Sequence, residues 1–305
     1  MYEVEYCNNP EQGEIKSANI TLDDDFYSEF EQRLKDLDRF IFLVDMHTII
    51  ESCAEDLMNI SIEDFDMFWK INKCLLNYVN AVYGYKEYVN SYDPPLSVIT
   101  EKHYKQKSWY RFLCDFRNYI IHQSIIIKDY RPADADVFIN IEQVTELLGA
   151  YSYPKDKQRK NAEVFSKWLD TLKADSVPIM DNHFLSMKYI VHQVSEELSD
   201  MKSEVLQYAF DKGVKPELQW LISLMQKVDG VYQYTFVVNK NNLPDDVWEP
   251  NFALEDFVRR MIKYLGADSQ ICKELFSMLR GEGYEYFYDG YCGLNEFIEK
   301  CSCNR

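Results

Sequence analysis

Glycine and proline are scarce in this chain of 305 residues, which contains 10 glycines and 9 prolines. Sandwiches and barrels of β-strands need frequent tight turns, and these two residue types form many of them. Apolar residues make up 47% of the sequence and aromatic residues 15%, so the chain can bury a substantial core. We therefore expect a mainly α-helical fold built from long helices.

Apolar residues recur at three- and four-residue spacing in several long stretches, as they do on one face of a helix. One helix is predicted to begin at Asp23, where negative charge favours a helix start. A second helix is predicted from Ser61 to about Tyr88, with Phe68 and Trp69 as part of its buried face.

Two more long helices are predicted at residues 96–124 and 181–211, and a proline pair precedes the first of them. Stretches rich in β-branched and aromatic residues predict short strands at 137–141 and 231–238. From these patterns we expect three segments. Residues 1–60 are an N-terminal extension of short strands and a helix, residues 61–211 are a helical bundle, and residues 212–305 are an α-rich C-terminal appendage with one or two short strands.

No apolar run approaches the ~20 residues of a membrane span, and the acidic N-terminus does not resemble a signal peptide. The eight cysteines show no disulfide-framework spacing, so we expect reduced thiols in the cytoplasm. The cysteines near the C-terminus fit a zinc site poorly, because they lack a pair at the usual ligand spacing. We expect neither a metal nor a cofactor.

The formal net charge of −18 argues against broad coating of nucleic acid, because phosphates repel such a surface. The charged residues are unevenly distributed along the sequence, however, and residues 101–131 contain seven basic and three acidic residues. This basic segment either pairs with acidic neighbours or forms a local anion-binding surface, and the sequence leaves both open. Its basic residues are Lys102, Lys105, Lys107, Arg111, Arg117, Lys128 and Arg131.

The same segment contains a group of polar residues within an apolar and aromatic helix. Arg117 is a fixed cation, Asn118 is a carboxamide and His122 is a titratable imidazole, and burying such groups without a role is costly. Asp115, Asn118 and His122 lie on one helical stripe, so Asn118 can orient His122. Arg117 lies about 140° around the helix axis from His122. A second copy of the helix across a two-fold axis would bring both pairs together.

This stretch resembles the HEPN superfamily (higher eukaryotes and prokaryotes nucleotide-binding). The hallmark of that family is an Arg, a polar residue, a short spacer and a His on a late helix of a four-helix bundle. Arg117, Asn118 and His122 match this pattern, with four residues between Arg and His. The extended exit, the short strand and the later long helix introduced by Asp181 are also similar. The resemblance covers approximately residues 60–210 and implies a HEPN-like four-helix bundle core at 61–211.

The resemblance implies a metal-independent endoribonuclease that acts as a homodimer, often as a toxin or phage-defence effector. Arg117 and His122 would be catalytic, with Asn118 and Asp115 in support. A neutral imidazole can take the proton from a ribose 2′-OH, and a protonated one can donate to the leaving oxygen. Arg117 would stabilise the negative charge on the phosphate. The product would be a 2′,3′-cyclic phosphate.

The implied partners are a second copy of the chain, an RNA substrate with tRNA among the candidates, and an antitoxin or regulatory protein. The candidate RNA contacts are the other basic residues of the segment, Lys102, Lys105, Lys107, Arg111, Lys128 and Arg131. The alternative is a non-catalytic HEPN-like module that binds a partner protein or a nucleotide. In that case a carboxylate such as Asp115 accepts the hydrogen bonds of Arg117 and His122, and the two residues have only a structural role.

Overall fold

The computed structural model describes most of the chain, and the residues that it describes are mainly helical. This confirms the predicted α-rich fold. Within the described helices, none combines the length and the apolar character needed to cross a membrane. The described residues are 2–9, 14–20, 24–60, 67–106, 108–123, 130–133, 136–143, 179–180, 183–224, 226–228, 231–233, 235–238, 247–248, 250–281, 286–287 and 292–303.

Nine α-helices lie within these residues, and a π-helical turn at Phe210–Val214 joins the fifth to the sixth. They are α1 (Asp24–Met58), α2 (Met67–Tyr92), α3 (Pro94–Gln106), α4 (Ser108–Gln123), α5 (Met187–Ala209), α6 (Lys215–Leu224), α7 (Pro250–Leu265), α8 (Gln270–Gly281) and α9 (Leu294–Cys303).

Twelve short strands accompany the helices in the described ranges, which is more than the sequence patterns predicted. They are β1 (Tyr2–Asn9), β2 (Glu14–Ile20), β3 (Tyr130–Ala133), β4 (Asp136–Asn140), β5 (Ile179–Met180), β6 (Phe184–Ser186), β7 (Gln226–Val228), β8 (Val231–Gln233), β9 (Thr235–Val238), β10 (Val247–Trp248), β11 (Tyr286–Phe287) and β12 (Cys292–Gly293).

These strands form antiparallel sheets, two with four strands and two with two. The order of the first is β10-β9-β1-β2, and the order of the second is β3-β4-β6-β5. The predicted strand at 137–141 corresponds to β4, and that at 231–238 corresponds to β8 and β9. Strand β7 pairs with β8 in an antiparallel register that places Val228 opposite Val231.

The chain divides into two compact units. Unit 1 comprises residues 1–45 and 206–305, and unit 2 comprises residues 46–205. The sequence patterns predicted breaks after residues 60 and 211, whereas the division of the structure falls inside α1 and inside α5. Unit 1 contains residues from both the N-terminal and the C-terminal parts of the chain, and the pairing of β1 with β9 connects these parts.

Unit 1 has an aromatic and aliphatic core. The ring of Phe40 on α1 lies 6.1 Å from that of Phe210 and 6.3 Å from that of Phe257 on α7, measured between centroids. Arg33 on α1 donates a 2.7 Å hydrogen bond to Glu217 on α6, and its guanidinium lies 4.7 Å from the ring centre of Trp220. These contacts fix α1 to the C-terminal helices of the same unit.

Unit 2 is built around α2, which packs against α3 and α4. Its buried face includes Ile71, Val79 and Tyr85, which are fully excluded from solvent. The predicted burial of Phe68 and Trp69 is wrong, because their exposed fractions are 42% and 74%. They lie in the first turn of α2, which begins at Met67.

The predicted single helix at 96–124 is also wrong, because α3 ends at Gln106 and α4 begins at Ser108. The start of α4 is capped by a glutamate from another helix. The Tyr110 backbone N–H donates a 2.7 Å hydrogen bond to Glu197 on α5, and the Trp109 N–H donates a 3.4 Å bond to the same carboxylate. A helix start carries unpaired N–H groups and a positive dipole end, and this carboxylate satisfies both.

Helix α5 begins at Met187 instead of the predicted residue 181, because residues 184–186 pair with β4 as β6. Ser186 caps the helix, and its hydroxyl accepts a 3.0 Å hydrogen bond from the Tyr189 N–H. The Ser186 hydroxyl itself donates to Asp136 on β4. The same carboxylate accepts a 3.2 Å bond from the Lys188 N–H. The second sheet therefore sets where α5 starts.

A histidine on α1 lies in the core of unit 2. His47 has 3% of its surface exposed, and its ring centre lies 4.2 Å from that of the buried Tyr85. Burial, with a smaller effect from the nearby Lys202 cation, lowers the pKa of His47 to about 3. The imidazole is therefore neutral in the folded chain at physiological pH.

Replacing Glu197 with alanine should destabilise the fold, because the first N–H groups of α4 lose a charged acceptor. We expect the free energy of unfolding to fall by about 1–3 kcal/mol, measured by urea denaturation. Glu196→Ala is the matched control, because Glu196 is exposed and pairs with His192 on its own helix at 3.4 Å. Equal losses for the two variants would contradict a capping role for Glu197.

The buried His47 should make the fold sensitive to mild acid. Between the unfolded pKa near 6.5 and the folded pKa of about 3, the unfolded chain binds a proton that the folded chain excludes. Stability from this group is therefore complete above pH ~6.5 and is lost as the pH falls, by up to about 1.4 kcal/mol per pH unit.

We expect His47→Leu to flatten the dependence of the urea midpoint on pH between about 7 and about 5. The control is His192→Gln, which changes a histidine whose side chain is 65% exposed. A pH dependence that is unchanged in His47→Leu would refute this assignment.

Candidate functional site

The predicted catalytic residues lie on α4, whose helical backbone is continuous from Ser108 to Gln123. Arg117, Asn118 and His122 therefore keep the helical spacing on which the sequence prediction depends. The side chains of residues 115 and 118–123 lie outside the part of the chain whose side chains the structure describes. The roles predicted for Asp115, Asn118 and His122 thus stay predictions.

Arg117 has a described side chain, which is half-buried between α4 and α2. Its guanidinium carbon lies 4.1 Å from the ring centre of Tyr83 on α2. A cation over an aromatic face at this distance contributes about 0.5–2 kcal/mol, depending on its exposure to water. Arg117 is also four residues after Leu113, which is 1% exposed, so it lies on the packed side of α4.

Tyr83 offers Arg117 an uncharged aromatic face. Burial raises the pKa of Tyr83, and the carboxylate of Glu87 acts in the same direction, while Arg117 opposes them. The hydroxyl therefore stays protonated at neutral pH, and the ring keeps the quadrupole that attracts a cation.

The contact between Arg117 and Tyr83 is part of a longer row of alternating cations and rings. The Lys86 Nζ atom lies 5.8 Å from the ring centre of Tyr83 and 4.2 Å from that of Tyr104 on α3. The guanidinium carbon of Arg111 on α4 lies 5.7 Å from the Tyr104 ring centre. We call these five residues the cation–ring row. All five are half-buried, and they come from three helices of unit 2.

One end of the row lies on the helical stripe of the predicted catalytic histidine. Positions 111, 115, 118 and 122 are separated by four, three and four residues, so they follow one line along α4. Arg111 therefore shares a stripe with His122, whereas Arg117 lies on the side of α4 that contacts α2.

The other basic residues predicted to contact RNA have separate environments. Lys102 binds Glu204 on α5 at 3.0 Å, and Lys105 binds Glu101 one turn earlier at 3.2 Å. The guanidinium carbon of Arg131 on β3 lies 4.3 Å from the ring centre of Phe184. Lys107 and Lys128 lie outside the described residues. Of the six candidates, the structure brings Arg111 into the cation–ring row.

Glu204 joins α5 to α3 through two side chains. His103 Nε2 lies 3.0 Å from a Glu204 carboxylate oxygen, and Lys102 donates to both oxygens at 3.0 Å. The hydrogen bond from His103, followed by that from Lys102, lowers the pKa of Glu204. The carboxylate is therefore ionised and neutralises part of the basic segment, as one reading of the charge pattern proposed.

Sequence reasoning missed Lys86, Tyr83 and Tyr104 as parts of a site. Lys86 lies outside the basic segment at 101–131, and tyrosines are common throughout the chain. The three-residue spacing of Tyr83 and Lys86 shows that they share a face of α2. That face of α2 becomes part of a site only because α3 and α4 pack beside it.

The described residues include no group of three or more His, Cys, Asp or Glu side chains that could hold a metal ion. Among the cysteines near the C-terminus, Cys272 is buried and Cys301 is half-buried. The side chains of Cys292 and Cys303 lie outside the described part of the structure.

No protein-family model, curated protein or solved structure matches this chain. The likeness to the HEPN superfamily therefore depends on the Arg-Asn-x3-His motif and on the order of elements around it.

Proposed function

We propose that the protein is an endoribonuclease of HEPN type that cleaves RNA by attack of a ribose 2′-OH on the adjacent phosphate. In this proposal the chain acts as a homodimer, and the α4 helices of two copies meet across a two-fold axis. Arg117 and His122 act on the phosphate, with Asn118 and Asp115 in support. The biological role is that of a cytoplasmic toxin or phage-defence effector, controlled by an antitoxin or another regulatory protein.

The observation that carries the proposal is the position of Arg117. Its guanidinium carbon lies 4.1 Å from the ring centre of Tyr83 on α2, so the cation is ordered on the helix that carries the motif. An ordered cation loses little freedom when it binds a phosphate, and its charge favours the negative charge that builds up during cleavage.

In this proposal the imidazole of His122 transfers the protons. A neutral imidazole of His122 accepts the proton of the 2′-OH, and a protonated imidazole donates one to the 5′-oxygen as it leaves. Both forms are accessible because the ordinary pKa of histidine lies near neutrality. The products are a 2′,3′-cyclic phosphate and a free 5′-hydroxyl, and the step needs no metal ion.

The alternative function is a non-catalytic HEPN-like module that binds a partner protein or a nucleotide. Two observations favour it: the formal net charge of −18, and the half-buried state of Arg117 on the packed side of α4. In this case Arg117 holds α4 against α2 through Tyr83, and no phosphate reaches it.

Cleavage of RNA tests the proposal directly. The purified chain should cleave total tRNA in the presence of EDTA and leave cyclic phosphate ends. Arg117→Ala and His122→Ala should each lower the rate by at least about 100-fold, because each removes a group that acts in the transition state. Denaturing gels and end-group analysis measure both effects.

The double variant Arg39→Ala/His192→Ala is the control, because it removes one arginine and one histidine from exposed positions elsewhere. It should cleave RNA like the unchanged protein. Cleavage that persists equally in the α4 variants would indicate a contaminating nuclease and would refute the proposal. A chain that is strictly monomeric in sedimentation experiments would refute the two-fold site.

A further inference from the structure

Two neighbouring polar side chains in the core of unit 2 each have an atom without a hydrogen-bond partner in the described part of the chain. His47 on α1 is 3% exposed, and Tyr85 on α2 is completely buried. The two atoms are Nε2 of His47 and the hydroxyl oxygen of Tyr85. Buried polar groups are nearly always hydrogen-bonded in folded proteins, because an unpaired group has lost the water that it binds in the unfolded chain. Both atoms therefore need a partner.

The two atoms are close enough to share that partner. The ring centres of His47 and Tyr85 lie 4.2 Å apart. Covalent geometry then limits the distance between Nε2 and the hydroxyl oxygen to at most about 8 Å. A hydrogen bond to water is about 2.8 Å long, so one or two water molecules in series can join the two atoms.

A third polar group lies in the same region of the core. Tyr110 on α4 is 1% exposed. Burial raises the pKa of Tyr110, and the nearby Cys114 and Tyr85 act in the same direction, so the two tyrosine hydroxyls are close enough to interact. Internal water molecules typically make about three hydrogen bonds to buried polar groups. Helices α1, α2 and α4 each contribute one such group here.

We propose that one or two ordered water molecules bind inside unit 2 and bridge Nε2 of His47 to the hydroxyl of Tyr85, with the hydroxyl of Tyr110 as a third partner. The bridge connects α1 to α2 by hydrogen bonds within the core. It does not depend on the proposed nuclease activity, because none of these side chains takes part in cleavage.

Water suits this site better than an ion does. The imidazole of His47 is neutral at physiological pH, and burial raises the pKa of Tyr85, so its hydroxyl keeps its proton. Neutral groups cannot offset the cost of burying an ion. The Lys202 cation that acts on His47 pairs with Glu51 at 3.2 Å. Water both donates and accepts, so it fits either tautomer of His47.

A high-resolution crystal structure of the full chain tests the site directly. We expect electron density for water within about 2.7–3.2 Å of Nε2 of His47 and of the Tyr85 oxygen, through one molecule or two in series. A site without such density, or a direct hydrogen bond between the two side chains, would overturn the proposal.

The sign of a stability change provides a second test. If water bridges the two residues, Tyr85→Phe removes one of its partners, and the equilibrium constant for unfolding should rise about five-fold. If the hydroxyl were unpaired, the same substitution would remove an unsatisfied group and stabilise the fold. Urea denaturation measures the change, and a lower unfolding constant for Tyr85→Phe would refute the bridge.

The matched control is Tyr208→Phe, because Tyr208 on α5 is only half-buried. It should leave the unfolding constant nearly unchanged. In a chain that already carries His47→Leu, Tyr85→Phe should have a smaller effect than in the unchanged protein, since the bridge has lost its other end. Equal effects in the two backgrounds would show that the two residues do not share a water molecule.

Discussion

The arrangement of helices in unit 2 depends on two carboxylates of α5. Glu197 and Glu204 are seven residues apart, which places them on one face of the helix two turns apart. Glu197 accepts hydrogen bonds from the first N–H groups of α4, and Glu204 binds Lys102 and His103 near the end of α3. Helix α5 thus fixes the point where one helix stops and the next starts. The ionised state of Glu204 follows from those same contacts.

The candidate site follows from that arrangement. Because α4 starts at Ser108, its two arginines lie beside α2 and α3. Arg111 contacts the ring of Tyr104, and Arg117 contacts the ring of Tyr83. Lys86 completes the row from α2. The structure thus shows carboxylates beside Lys102 and Lys105, and tyrosine rings beside Lys86, Arg111 and Arg117.

Local patterns predicted much of the fold. The scarcity of glycine and proline and the spacing of apolar residues indicated long helices, and the α-rich fold is confirmed. The strand at β4 was also visible, from its β-branched residues. Two errors share one cause, which is that each was decided by residues distant in sequence. They are the unbroken helix at 96–124 and the helix start at 181. The burial of Trp69 was also predicted wrongly.

For the site, the sequence determined which chemistry is available: an arginine, a carboxamide and a histidine at fixed spacing on one helix, within a locally basic segment. A helical period sets such spacing without help from the rest of the chain. The tertiary structure decided which cations lie over tyrosine rings. Lys86, Tyr83 and Tyr104 joined the site only through packing of α2, α3 and α4, because cation–ring distances depend on helices that no local pattern can bring together.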